Sequence, residues 1–60
     1  MAIILHQSGR RIFVNLSAIE TIQERGDANA VIYFIGGAGG LDVDESFGDI
    51  MTLIEIEKHG

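Results

Sequence analysis

The stretch Ala2-Ile3-Ile4-Leu5-His6-Gln7-Ser8-Gly9-Arg10-Arg11-Ile12-Phe13-Val14-Asn15-Leu16 decides how the rest of this chain is read. Ala2 to His6 is almost wholly apolar and rich in isoleucine, the pattern of a strand buried on both faces or held at an interface. Arg11 to Leu16 alternates, with Ile12, Val14 and Leu16 on one side and Arg11, Phe13 and Asn15 on the other. Between them lies Gln7-Ser8-Gly9-Arg10, in which Gly9 can take the positive φ that a tight hairpin needs. Two runs of strand character joined by such a turn predict an antiparallel hairpin, which commits the chain to a β-rich fold.

Further strands follow. Ala30 to Ile35 (Ala-Val-Ile-Tyr-Phe-Ile) is apolar on both faces and reads as a central strand. Gly36-Gly37-Ala38-Gly39-Gly40 reads as a hairpin loop, and Leu41 to Glu45 alternates again, with Leu41 and Val43 inward and Asp42 and Asp44 outward. The segment after Leu16 carries two conflicting signals. Ser17-Ala18-Ile19-Glu20 matches a capping box, with Leu16, Ile19 and Ile22 at helical spacing. Yet Ile19, Thr21 and Ile22 are β-branched, and Gly26-Asp27 interrupts the segment. One helical turn at Ser17 to Ile19, running into a short strand through about Glu24, reconciles them.

The last segment is helical. Ser46 fits an N-cap, with Asp49 three residues on, and Phe47, Ile50, Met51 and Ile54 recur as one apolar stripe. Lys58 and His59 lie in the final turn, where the helix dipole favours them. The expected fold is mainly β (α+β), a single domain over residues 1–60. About five short antiparallel strands form a bent sheet or small barrel, closed by one C-terminal amphipathic helix over residues 47–58.

Composition then bounds function. Sixty residues with no cysteine leave no disulfide or thiolate–metal staple, so stability rests on apolar burial. A hydrophobic fraction of 47% is more than so small a body can hide, which predicts self-association or cover by another protein. The net charge of −5 disfavours nucleic acid and anionic membranes. The apolar opening Met1 to Leu5 is too short for a signal h-region or a membrane span, so the expectation is a cytoplasmic protein.

The candidate chemistry is slight. Gly36 to Gly40 lacks the Lys-Ser/Thr of a phosphate loop and leads into a strand. Asp42, Asp44, Glu45 and Asp49 do not follow calcium-loop spacing, and read as outward strand residues and a helix cap that discourage edge-to-edge pairing. His6 and His59 belong to no ligand pattern. No catalytic, cofactor-binding or metal-binding residue is predicted, and the reading is of a non-enzymatic module. Its partner-binding candidates are Phe13, Tyr33, Phe34 and Met51. The alternative is a nucleic-acid-binding regulator using Arg10, Arg11 and Arg25, or a phage-borne protein of another role.

Ser8-Gly9-Arg10-Arg11-Ile12-Phe13-Val14-Asn15-Leu16, Ile19-Glu20-Thr21-Ile22, Val31-Ile32-Tyr33-Phe34 and Val43-Asp44-Glu45-Ser46 before a short helix together resemble the FlbD/SwrD family of small flagellar proteins. The likeness spans roughly residues 3 to 54. The chain departs from the family pattern in carrying Ser8-Gly9 for Asn-Gly at the first turn, Gly26-Asp27 for Pro-Asp, and the expanded Gly36 to Gly40 run. The resemblance implies an adaptor that supports flagellar motor function or motility. Weaker similarities are to the β-rich LytTR DNA-binding domain and to the small dimeric carbon-storage RNA-binding regulators.

Overall fold

A computed structural model describes all of residues 1–60. The elements run β1 (Ala2–Gln7), β2 (Arg10–Asn15), a 3-10 turn (Leu16–Ala18), β3 (Ile19–Arg25), β4 (Asn29–Phe34), β5 (Gly40–Val43) and α1 (Phe47–His59). The five strands make two antiparallel sheets, β1-β2 and β3-β4-β5, which do not close into a barrel. Of the two forms expected, the bent sheet is the one adopted.

The first hairpin turns through Ser8 (φ 50°) and Gly9 (φ 80°), two successive positive φ values that match the right-handed twist of the flanking strands. Its register pairs Ile3 with Val14, Ile4 with Phe13 and Leu5 with Ile12, without interruption. In the second sheet β4 is central, as its apolar faces require, between β3 and β5. A bulge shifts the β3–β4 register between Ile19 and Thr21.

The ambiguous segment resolves in favour of strand. Its one turn of helix is capped by Asn15, whose Oδ1 accepts from the Ser17 amide at 3.2 Å, not by Ser17 as the capping box suggested. The Ile35 amide donates to the Ala18 carbonyl at 2.9 Å, tying this turn to the end of β4. β-branched residues and an available partner strand outweigh the helical spacing of Leu16, Ile19 and Ile22.

The core is one cluster: Ile3, Leu5 and Val14 from the hairpin, Ala30, Ile32 and Val43 from the second sheet, and Ile50 from the helix. α1 packs against β1 and β3, so one helix bridges the two sheets. Ser46 caps it as expected, its Oγ accepting from the Asp49 amide at 3.1 Å. Only Ile50 of the helix is buried; Met51, Leu53 and Ile54 are partly covered and Ile56 faces solvent. No helix is long and apolar enough to cross a membrane.

Candidate interaction surface

Alternation along the first hairpin sends Ile3, Leu5, Ile12 and Val14 inward, leaving Ala2, Ile4, His6, Arg11, Phe13 and Asn15 on the outer face. At its centre Ile4 and Phe13 are cross-strand partners, 47% and 74% exposed. A phenyl ring that open to water, beside an exposed isoleucine, is an unpartnered apolar centre. The accessible surface of 4118 Å² lies somewhat above the roughly 3,800 Å² that a folded monomer of this mass exposes. Met1, Ile4, Phe13, Ile35 and Ile56 stand exposed, and the hairpin face holds two of the five.

Hairpin geometry also fixes which backbone groups are free. Gln7 and Arg10 close the two-residue turn as a hydrogen-bonded pair, and the pairs alternate from there. The amides and carbonyls of Arg11, Phe13 and Asn15 therefore point away from β1. The same rule turns the polar groups of His6 outward from β1, toward the second sheet, where they are met: the His6 amide donates to Glu45 Oε1 at 2.8 Å, and its carbonyl accepts from the Asp44 amide at 2.7 Å.

Those two contacts belong to a larger clasp. Glu45 Oε2 lies 2.6 Å from His6 Nδ1, and the Asp44 carboxylate accepts from the Ser8 amide at 3.0 Å and the Gly9 amide at 2.9 Å. Gln7 Nε2 donates to the Asp42 carbonyl at 3.1 Å. The Gly9 and Ser8 amides hold the Asp44 carboxyl below the usual carboxylate range, and His6 adds to the effect. The acids that the alternation set outward as deterrents to strand pairing thus act within the molecule. Asp44 and Glu45 fasten the hairpin turn to the second sheet, and Asp42 pairs with Arg25.

The other predicted contact residues are dispersed. Phe34 and Met51 are partly buried against the core, so neither stands free. Tyr33 lies on the outer face of the second sheet, opposite Gly40, where its ring covers the glycine. Arg10 and Arg11 begin β2, whereas Arg25 ends β3 and is engaged by Asp42. Phe13, Arg10 and Arg11 share β2; Tyr33 and Phe34 share β4 but point to opposite faces of it. Ile4 was not singled out from sequence, although its pairing with Phe13 followed from the predicted turn.

The surface hollows are open and polar, one among Ser8, Arg10, Arg25, Asn29 and Asp42, the other among Gln23, Tyr33 and Gly40. No three His, Asp or Glu side chains converge in a way that could hold a metal ion. Set against known protein families, curated proteins and solved structures, the chain matches none.

Proposed function

We propose that this chain is a small, non-enzymatic, self-associating protein-binding module of the cytoplasm, working through the outer face and free edge of the β1–β2 hairpin. The observation that supports this reading is the Ile4–Phe13 pair, exposed at the centre of a hairpin that the Asp44–Glu45 clasp holds in a defined orientation. A rigidly presented aromatic anchor suits desolvated protein contact. The flagellar motor role implied by the FlbD/SwrD resemblance belongs to the same proposal, as a statement about the partner.

The test is site-specific photocrosslinking in cells making the full chain, with a photoreactive aromatic residue at Phe13 and a control at the exposed Glu57 on α1. Crosslinks to protein from position 13 but not from position 57 are expected. Crosslinks to nucleic acid alone, or none above the control, overturn the reading.

One observation favours a second reading. Arg11 and Phe13 share the outer face of a segment, residues 1–19, that contains no acidic side chain. A cation beside an exposed ring is what base stacking with phosphate contact uses. A nucleic-acid binder of this kind loses affinity steeply as salt rises; absence of binding to DNA and RNA at low salt removes it.

A further inference from the structure

The two sheets meet through β1 and β5, which leaves β2 and β3 as the outer edges. They are not alike. β3 carries Glu20, Glu24 and Arg25 along its length and a bulge at its start, features that deter strand addition. β2 pairs with β1 without a register shift, carries its only charges, Arg10 and Arg11, at its start and no acid, and shows Phe13 at its midpoint. Of the two outermost edges, β2 is the one without acids or a bulge.

Charge selects what can approach it. Residues 1–19 hold Arg10 and Arg11 and no acid, for a net +2; residues 20–60 hold nine acids against Arg25 and Lys58, for −7, and the two sum to the chain's −5. Two copies that meet symmetrically, like face to like face, through surfaces built from residues 20–60 set carboxylates against carboxylates. Meeting through β2 avoids this.

We propose that a second copy of the chain pairs with the first through β2, antiparallel across a two-fold axis at Phe13, making a four-stranded β1-β2-β2-β1 sheet. The inference rests on the hairpin face being a protein-binding surface, and names its first occupant. In this register Phe13 faces Phe13, Arg11 faces Asn15 of the other copy, and Ile12 faces Val14. The outward amides and carbonyls of Arg11, Phe13 and Asn15 all find partners. No like charges stand directly opposite, and the two Arg11 side chains are separated by about 14 Å along the strands, beyond a Debye length at physiological salt. Moving the register until Arg11 meets Arg11 loses both advantages. On the outer face the pairing joins two Ile4–Phe13 pairs into one apolar row, the platform on which a further protein could sit.

The chain contains no cysteine, so single cysteines report the register directly. Hydrogen-bonded antiparallel pairs bring Cα atoms to about 5.5 Å, within disulfide reach. Arg11→Cys mixed with Asn15→Cys is expected to form mixed disulfide dimers about tenfold or more faster than either variant alone. Sedimentation equilibrium is expected to give a dimer of about 13 kDa, twice 6.5 kDa, for the wild type and a monomer for Phe13→Lys. Circular dichroism checks that the latter folds, as expected for a ring outside the core cluster. A monomeric wild type, equal disulfide rates, or faster Arg11–Arg11 linkage overturns the dimer. If crosslinks from Phe13 to a different protein persist in that event, the protein-binding reading stands without the dimer; if they are also absent, both fall.

Discussion

The Glu45 carboxylate engages His6 at two points, accepting from its backbone amide at 2.8 Å and lying 2.6 Å from Nδ1 of its ring. Glu45 follows the last strand and His6 belongs to the first, so this one side chain joins the two sheets across a separation of 39 residues. It is largely covered, with 16% of the side chain exposed. Replacing it by alanine leaves the His6 amide unpartnered at the seam and is expected to cost about 1–3 kcal/mol in chemical denaturation. Glu45→Gln keeps one acceptor and is expected to fall between. Hydrogen exchange at the His6 amide should accelerate in the alanine variant before exchange in β4 does; equal acceleration everywhere would mean that the contact is not local to the seam.

Asp44 gives the seam its acid sensitivity. Its folded pKa is depressed by the Gly9 and Ser8 amides, so its contribution is complete above the unfolded aspartate value of about 3.9 and fades as pH falls through the lower folded value. Stability is therefore expected to drop below about pH 4, and Asp44→Asn, which cannot ionise, is expected to be less stable at neutral pH and flatter across the acid range. Urea midpoints measured from pH 2 to pH 7 decide this. Parallel curves for both proteins would exclude Asp44 as a source of the slope.

Within the Gly36 to Gly40 run, one glycine is required for lack of space. A Cβ on Gly40 falls 2.5 Å from Val31 Cγ1 and 3.0 Å from Tyr33 Cε1, so Gly40→Ala displaces the Val31 side chain and crowds the Tyr33 ring, and is expected to destabilise by about 1–3 kcal/mol. At Gly39 nothing lies within 4 Å and φ is not positive. Gly39→Ala is expected to be neutral or stabilising by up to about 1 kcal/mol, through a less flexible unfolded chain. Thermal unfolding of the pair separates steric need from mere loop composition.

Ser8 is the one non-glycine residue with positive φ. Asparagine tolerates that region better than serine, and Asn-Gly is the preferred pair for this turn. Ser8→Asn keeps the backbone amide that Asp44 accepts from, and is expected to stabilise by about 0.5–1 kcal/mol. An unchanged denaturation midpoint would show that the turn is already relaxed with serine.

These residues also show what was legible in the sequence. The hairpins, the helix and its Ser46 cap rest on local patterns, namely alternation, Gly9 and a Ser followed by an apolar stripe, and local patterns survive folding. The segment after Leu16 was ambiguous because a capping-box pattern at Ser17 to Glu20 competed with the β-branched Ile19, Thr21 and Ile22; Asn15 as the actual cap and the bond from Ile35 to Ala18 emerge only in the fold. The clasp could not be read at all. Alternation marks Asp42 and Asp44 as outward, but not that the outward side of β5 meets the turn of β1–β2. Phe13 was legible as facing away from Ile12 and Val14; that no element of the same chain covers it is a property of the whole packing.

The helix supplies the sharpest contrast in energetics. Ile50 is fully buried between the sheets while Ile56, two turns on, is 61% exposed. Truncating Ile50 to alanine removes atoms from a core of seven residues and leaves a cavity, an effect of about 2–5 kcal/mol. A chain of this length is stabilised by only about 3–9 kcal/mol in total, so that loss is a large fraction of it. Ile50→Ala is expected to unfold much of the population at 37 °C, whereas Ile56→Ala is expected to stay within about 0.5 kcal/mol of the wild type. Circular dichroism at 222 nm during a thermal ramp reads both. If Ile56→Ala were the more damaging, the end of α1 would have to be buried in solution by a neighbour, and the association of this chain would involve the helix as well as β2.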